Sequence, residues 1–108
     1  MATRRYQHVL DIQQAAALLD AMANANRLHI LDILSRTEMS VGHLAKTIGV
    51  SQSVLSQHLA KLRNANLVQR RRDAQNVYYS CPSKPVGKLL DILAESFEGE
   101  HEGARRNA

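Results

Sequence analysis

"SVGHLAKTIGVSQSVLSQHLAKLRN", residues 40–64, decides how the rest of the chain is read. Two short helical segments are legible in it, each opened by a serine whose hydroxyl can satisfy an amide that the first turn leaves unpaired. Ser40 caps a helix from Val41 to about Ile48, and Ser51 caps one from Gln52 to about Asn64. Gly49 ends the first, because the residue just past a helix end favours a left-handed conformation. Ala45, Gly49 and Leu55 then supply three requirements of a tight helix pair. These are a small side chain at the crossing, a corner residue tolerant of positive φ, and an apolar anchor on the second helix. The spacing is that of a helix-turn-helix, although the same three residues recur by accident in other helical proteins.

The second helix sharpens the reading. At about 100° per residue, Val54, Leu55, Leu59 and Leu62 form an inward stripe. Ser53, Ser56, Gln57, Ala60, Lys61 and Asn64 form the opposite one. An ordinary solvated face mixes Glu with Lys four residues apart, and none is present here. Gln52, Ser53, Ser56 and Gln57 are short or bidentate hydrogen-bonding side chains suited to base edges and adjacent phosphates. Lys61 and Arg63 suit phosphates, and His58 is placed to pack the helix or to reach one.

Directly after this helix comes "LVQRRRDAQNVYYS", residues 67–80, with β-prone residues around a polar centre: a hairpin. Arg72 and Gln75 fall at its tip, with Arg70 and Arg71 along the strand. Arginines so placed can enter a minor groove or grip phosphates, as the wing of a winged helix does. A surface hairpin whose charges blunt its edge is the plainer alternative.

Three further helices flank this unit, over residues 11–23, 27–36 and about 84–98. The expected fold class is mainly α with a small β-hairpin: four helices, two strands and a fifth helix in a winged helix-turn-helix. Residues 1–10 read as an N-terminal arm, 11–98 as one DNA-binding and dimerisation domain, and 99–108 as a flexible tail. The first and last helices carry more apolar surface than a core of this size needs. Ala15, Leu18, Leu19 and Met22, with Leu89, Leu90, Leu93 and Phe97, are therefore the expected contacts of a two-fold homodimer. The alternative is that both helices merely close the monomer core.

Charge distribution agrees with a nucleic-acid partner. The 108 residues carry a net charge of +4, and no Asp or Glu occurs from Met39 to Arg72, where Lys46, Lys61, Arg63, Arg70, Arg71 and Arg72 all fall. A segregated basic surface attracts polyanions. With three tyrosines, one phenylalanine and no tryptophan, a stacking platform for single strands is disfavoured and duplex DNA is the expected partner. No apolar run approaches the roughly 20 residues that span a bilayer, so no membrane partner is expected. The start, "MATRRYQHVLDIQQ", lacks the apolar core of a secretory signal, and a single cysteine fits a reducing cytoplasm. No phosphate-cradling glycine loop, paired nucleophile and base, or carboxylate pair supports an enzyme, so no catalytic residue and no cofactor is assigned.

At this point the chain resembles a known family. "MANANRLHILDIL" (22–34), "EMSVGHLAKTIGVSQSVLSQHLAKLRNANLV" (38–68) and "RRDAQNVYYS" (71–80) are similar to the ArsR/SmtB family of winged-helix repressors, nearest its NolR-like and BigR/HlyU-like branch. The resemblance spans residues 15–97. It implies a homodimer joined through the first and last helices, each protomer placing its recognition helix in successive major grooves of a palindromic promoter operator. The expected function is that of a transcriptional repressor.

The resemblance also implies sensor sites, and the residues at those positions depart from the pattern. Where soft-metal sensors have cysteines stand Ser40, Gly42 and Ala45. The zinc positions on the last helix fall near Ser83, Pro85, Ser96 and Gly99. The dithiol positions hold Asp32 and Glu98. No metal ligand set is expected. Cys81 reads as a buried structural thiol, and His101 between Glu100 and Glu102 as part of an acidic tail. A redox- or metal-responsive repressor using Cys81 or unrecognised ligands is the alternative.

Overall fold

The computed structural model describes residues 9–107, and side chains from residue 9 to residue 98. Most of the proposed arm therefore lies outside the described residues, as do the side chains of Glu100, His101 and Glu102. In chain order the elements are α1 (Ile12–Met22), α2 (Ala25–Leu34), β1 (Met39–Ser40), α3 (Val41–Ile48), α4 (Gln52–Asn64), β2 (Gln69–Asp73), β3 (Asn76–Ser80) and α5 (Lys84–Asn107).

Local chemistry sets most of these boundaries. Asp11 accepts from the Gln14 amide to open α1. Asn24 does the same for α2 through the Arg27 amide, starting that helix at Ala25 rather than at the expected Arg27. Arg27 instead turns back to the end of α1, donating from Nε to the Ala21 carbonyl at 2.6 Å and from Nη2 to that of Asp20 at 3.2 Å. These bonds satisfy acceptors that α1 leaves open at its C-terminus. The last helix runs past the expected end at residue 98, through the segment read as a flexible tail, to Asn107. Glu100, Glu102, Ala104, Arg105 and Arg106 are strong helix formers that outweigh the interruptions at Gly99 and Gly103.

The core lies where the helices meet. Ile30, Leu31, Leu34, Leu44, Leu55, Leu59, Leu62 and Val86 are all essentially inaccessible, with Tyr79 and Cys81 against them. Val54, expected in the inward stripe, is exposed. The stripe centres on Leu55, Leu59 and Leu62, which leaves Val54 about 100° to one side. Met22 moves the other way: placed on the dimer face from sequence, it is 4% exposed and belongs to the monomer core.

The expected hairpin is present with a third strand added. β3 lies between β2 and the two-residue β1, both antiparallel to it. Met39 pairs with Tyr79 and Ser40 with Tyr78, so the segment leading into α3 closes the sheet at the base of the hairpin. Two residues give no sequence signature of a strand; their extended conformation comes from pairing with β3. Asp73 pairs with Asn76, leaving Ala74 and Gln75 as a two-residue loop, with Ala74 at φ 56°.

Candidate nucleic-acid interface

The helix-turn-helix has the geometry its residues predict. Gly49 is left-handed at φ 83°, and its amide donates to the Ala45 carbonyl at 2.9 Å. Ala45 is buried at the crossing and Leu55 fully buried beneath α4. Ser51 Oγ accepts from the Val54 amide at 3.2 Å, fixing the start of α4. With Leu55, Leu59 and Leu62 held inward, Gln52, Ser53, Ser56 and Gln57 are all exposed. Gln52 reaches back toward α3, its Nε2 3.8 Å from where a Cβ on Gly42 would stand, and it borders a concavity shared with His43 and Lys46. Ser56 and Gln57 stand clear on the outer face, and the Ser53 hydroxyl lies 3.4 Å from that of Ser51.

The two basic side chains of α4 have intramolecular partners. Lys61 Nζ lies 3.0 Å from Asp20 Oδ2 on α1, and hydrogen bonding from Lys61 holds the Asp20 carboxyl below its ordinary value. Arg63 Nη1 donates to the Tyr79 hydroxyl at 2.8 Å, tying α4 to β3. Sequence spacing suggests both as phosphate contacts; Lys61 stays exposed while paired with Asp20, and Arg63 is half-buried against Tyr79. His58 is half-buried, and desolvation, followed by the nearby Arg27 charge, lowers its pKa.

The wing sorts its three arginines by strand alternation. Residues directly opposite in an antiparallel ladder share a face. Arg70 is opposite Tyr79 and Arg72 opposite Val77, so these two arginines share the face of β3 that carries the buried Tyr79. Arg71 is opposite Tyr78 on the other face, with its guanidinium 4.8 Å from that ring's centroid. There Glu38 takes it in a bidentate pair, at 3.1 Å from Nε and 2.6 Å from Nη2. Asp73 Oδ2 is 4.0 Å from Arg71 Nη1. Hydrogen bonding from Arg71 lowers the Glu38 pKa, and Glu38 raises that of Arg71. Glu38 and Asp73 are the two acids that bracket the acid-free window, and both meet the same arginine. Among the described residues, Arg70 and Arg72 make no ion pair, and both are exposed, as is Gln75 in the loop.

Sequence reasoning missed Glu38, Tyr78 and Tyr79 as organisers of the wing. The signal available was the register: once Asp73 and Asn76 flank the turn, alternation puts Arg71 with Tyr78 and Arg70 with Tyr79.

Other sequence-selected positions carry structural roles. Ser40 Oγ accepts from the His43 amide as the α3 cap. Cys81 is 5% exposed, its amide donates to the Leu34 carbonyl at 3.0 Å, and burial pushes its thiol pKa up. A thiol so placed is a poor nucleophile at neutral pH. Among the described residues no three His, Cys, Asp or Glu side chains gather as a metal site.

Away from this surface, Leu19 (55% exposed), Ile92 (57%), Leu93 (40%) and Phe97 (60%) project from α1 and α5. Leu19, Met22, Ala23, Leu28, Leu89, Ile92 and Leu93 line an apolar groove of about 300 Å³. Ala15, Leu18, Leu89 and Leu90 are half-buried, the last three packed against the core. Ile92 and Ile12 were not selected from sequence.

Comparison with known proteins agrees with this architecture. Residues 24–70 match the profile described as "Bacterial regulatory protein, arsR family". The nodulation protein NolR of Rhizobium meliloti is 55% identical over 87 residues, covering 81% of this chain and 71% of that protein. The transcriptional activator HlyU of Vibrio cholerae is 48% identical over 80 residues, covering 74% of each. The crystal structure of NolR from Sinorhizobium fredii superimposes with a TM-score of 0.76 at 51% identity, over 83% of this chain and 96% of that one. The matched profile is named for a regulatory protein, and HlyU for a transcriptional activator. On its winged helix-turn-helix, and on similarity of this extent, the chain belongs to the arsR family of bacterial transcriptional regulators.

Proposed function

We propose that the chain is a homodimeric repressor that occupies a palindromic operator in double-stranded DNA. The observation that carries this reading is the outer face of α4. Ser53, Ser56 and Gln57 are exposed on a helix without an acid, and Arg70 and Arg72 are exposed on the wing that follows it in the chain. Glutamine and serine read base edges in the major groove, while the wing arginines supply charge to the phosphates or the adjoining minor groove. A dimer is supported by the apolar side chains that α1 and α5 leave exposed. Leu19, Ile92, Leu93 and Phe97 form a patch of the kind that marks an interface. Two-fold pairing there would set two recognition helices roughly 34 Å apart, one turn of DNA.

The family's sensing positions lack thiols and ligands here, and Cys81 is buried, so the proposed repressor works without the usual metal or dithiol site. The test is a fluorescence-anisotropy titration with duplexes from the chain's own promoter over a salt series, with light scattering for mass. Tight binding by a dimer, weakening steeply with salt, is the expected result. A monomer that ignores every duplex at low ionic strength refutes the proposal. HlyU bears the name of an activator. A reporter that loses expression when the bound site is deleted would therefore overturn repression while leaving DNA binding intact.

A further inference from the structure

Recognition helix and wing are adjacent in sequence, but a directional side-chain contact also joins them inside the fold. Arg63, in the last turn of α4, donates to the Tyr79 hydroxyl across 2.8 Å. Arg63 is half-buried and Tyr79 is 4% exposed, so little water competes for the bond. Tyr79 sits opposite Arg70 in the ladder, and Arg72 follows on the same face two residues later. All of β2 is exposed. Its position therefore depends on the ladder to β3, and that of β3 depends in part on Tyr79.

We propose that the Arg63–Tyr79 hydrogen bond sets the angle between recognition helix and wing. Both are then positioning residues for the DNA contacts of Arg70 and Arg72, and Arg63 is not itself a phosphate ligand. This rests on the DNA-binding reading above and deepens it. A guanidinium that swung out to a phosphate would leave the Tyr79 hydroxyl without its partner in a mostly buried setting, an outcome that polar groups avoid. Held in place, the same guanidinium leaves the wing face presented at a constant height above α4.

Anisotropy titrations of the full chain on a duplex that the wild type binds provide the test. Tyr79→Phe removes the hydroxyl and keeps the ring, and is expected to weaken binding about tenfold. In an Arg70→Ala, Arg72→Ala background the same change is expected to have less than about a twofold effect, because no wing contacts remain to misplace. Arg63→Met should add as little on top of Tyr79→Phe. Equal losses from Arg63→Met in the wild-type and Tyr79→Phe backgrounds would make Arg63 a direct phosphate ligand and overturn the proposal. Unchanged affinity of Tyr79→Phe, or a tenfold loss that persists without the wing arginines, would also overturn it. Should Tyr79→Phe fail to melt cooperatively, Arg63→Met against the arginine-less wing tests the same coupling. Absence of binding by the wild type overturns both readings, whereas wild-type binding with an unresponsive bond overturns only this one.

Discussion

Replacing Glu38 with glutamine should make the protein a tighter DNA binder without changing its discrimination between sequences. Glu38 holds the Arg71 guanidinium through two hydrogen bonds, at 2.6 and 3.1 Å, so this arginine is neutralised although it stands between Arg70 and Arg72 on an exposed strand. Glu38→Gln keeps the size of the side chain and removes its charge, releasing Arg71 to sample the phosphates beside the wing. Each additional phosphate neutralised steepens the dependence of log K on log salt by about 0.9. At about 0.1 M salt, one such contact multiplies affinity by roughly eightfold, and the gain disappears toward 1 M. Because phosphate contacts carry no sequence information, cognate and scrambled duplexes should gain alike. The assay is an anisotropy titration at several salt concentrations on both duplexes, with Glu38→Gln, Arg71→Gln as the control in which the gain should vanish. Unchanged affinity and slope would mean that Arg71 faces away from DNA whether paired or not. The sorting of wing arginines by Glu38 would then have no bearing on binding.

Other outcomes follow from the same geometry. Gln57→Ala, on the exposed face of α4, should weaken the cognate site by about 1–3 kcal/mol and relax preference at one base pair, read by titrating single-base variants of the operator. Leu93→Glu, on the apolar patch of α1 and α5, should give a monomer by light scattering whose circular dichroism melt remains cooperative, since Leu93 is 40% exposed in the single chain. Ser51→Ala removes the acceptor for the Val54 amide and should destabilise the fold by about 1 kcal/mol in urea unfolding. Acidification should weaken the fold through His58, whose folded pKa lies below its ordinary value of 6.5 because of desolvation and, secondarily, Arg27. As pH falls through 6.5 the unfolded chain takes a proton that the folded one resists, so stability declines until the folded pKa is reached. His58→Gln should flatten that part of a stability–pH profile.

The helix-turn-helix was legible because every signal for it is local. Ser40 and Ser51 bond to amides three residues ahead, Gly49 closes onto Ala45 four residues behind, and Leu55, Leu59 and Leu62 repeat at the helical period. Such interactions depend on neighbours along the chain, and any fold containing the segment must satisfy them. The hairpin was equally readable from its β-prone flanks, and with it the fold class and the outward placement of Ser53, Ser56 and Gln57.

What tertiary structure decided is which of the exposed-looking charges are available. Arg71 differs from Arg70 and Arg72 because Glu38, 33 residues away, is brought beneath one face of the hairpin. Arg63 is engaged because Tyr79, 16 residues on, is folded against α4. Met22 is core, while Leu19 and Leu93 remain exposed, because the packing of α1 against α2 chooses among apolar positions that look alike in sequence. A β1 of two residues exists only through its ladder to β3. Periodicity specifies the face on which a side chain lies; the distant partner facing it exists only once the chain has closed on itself.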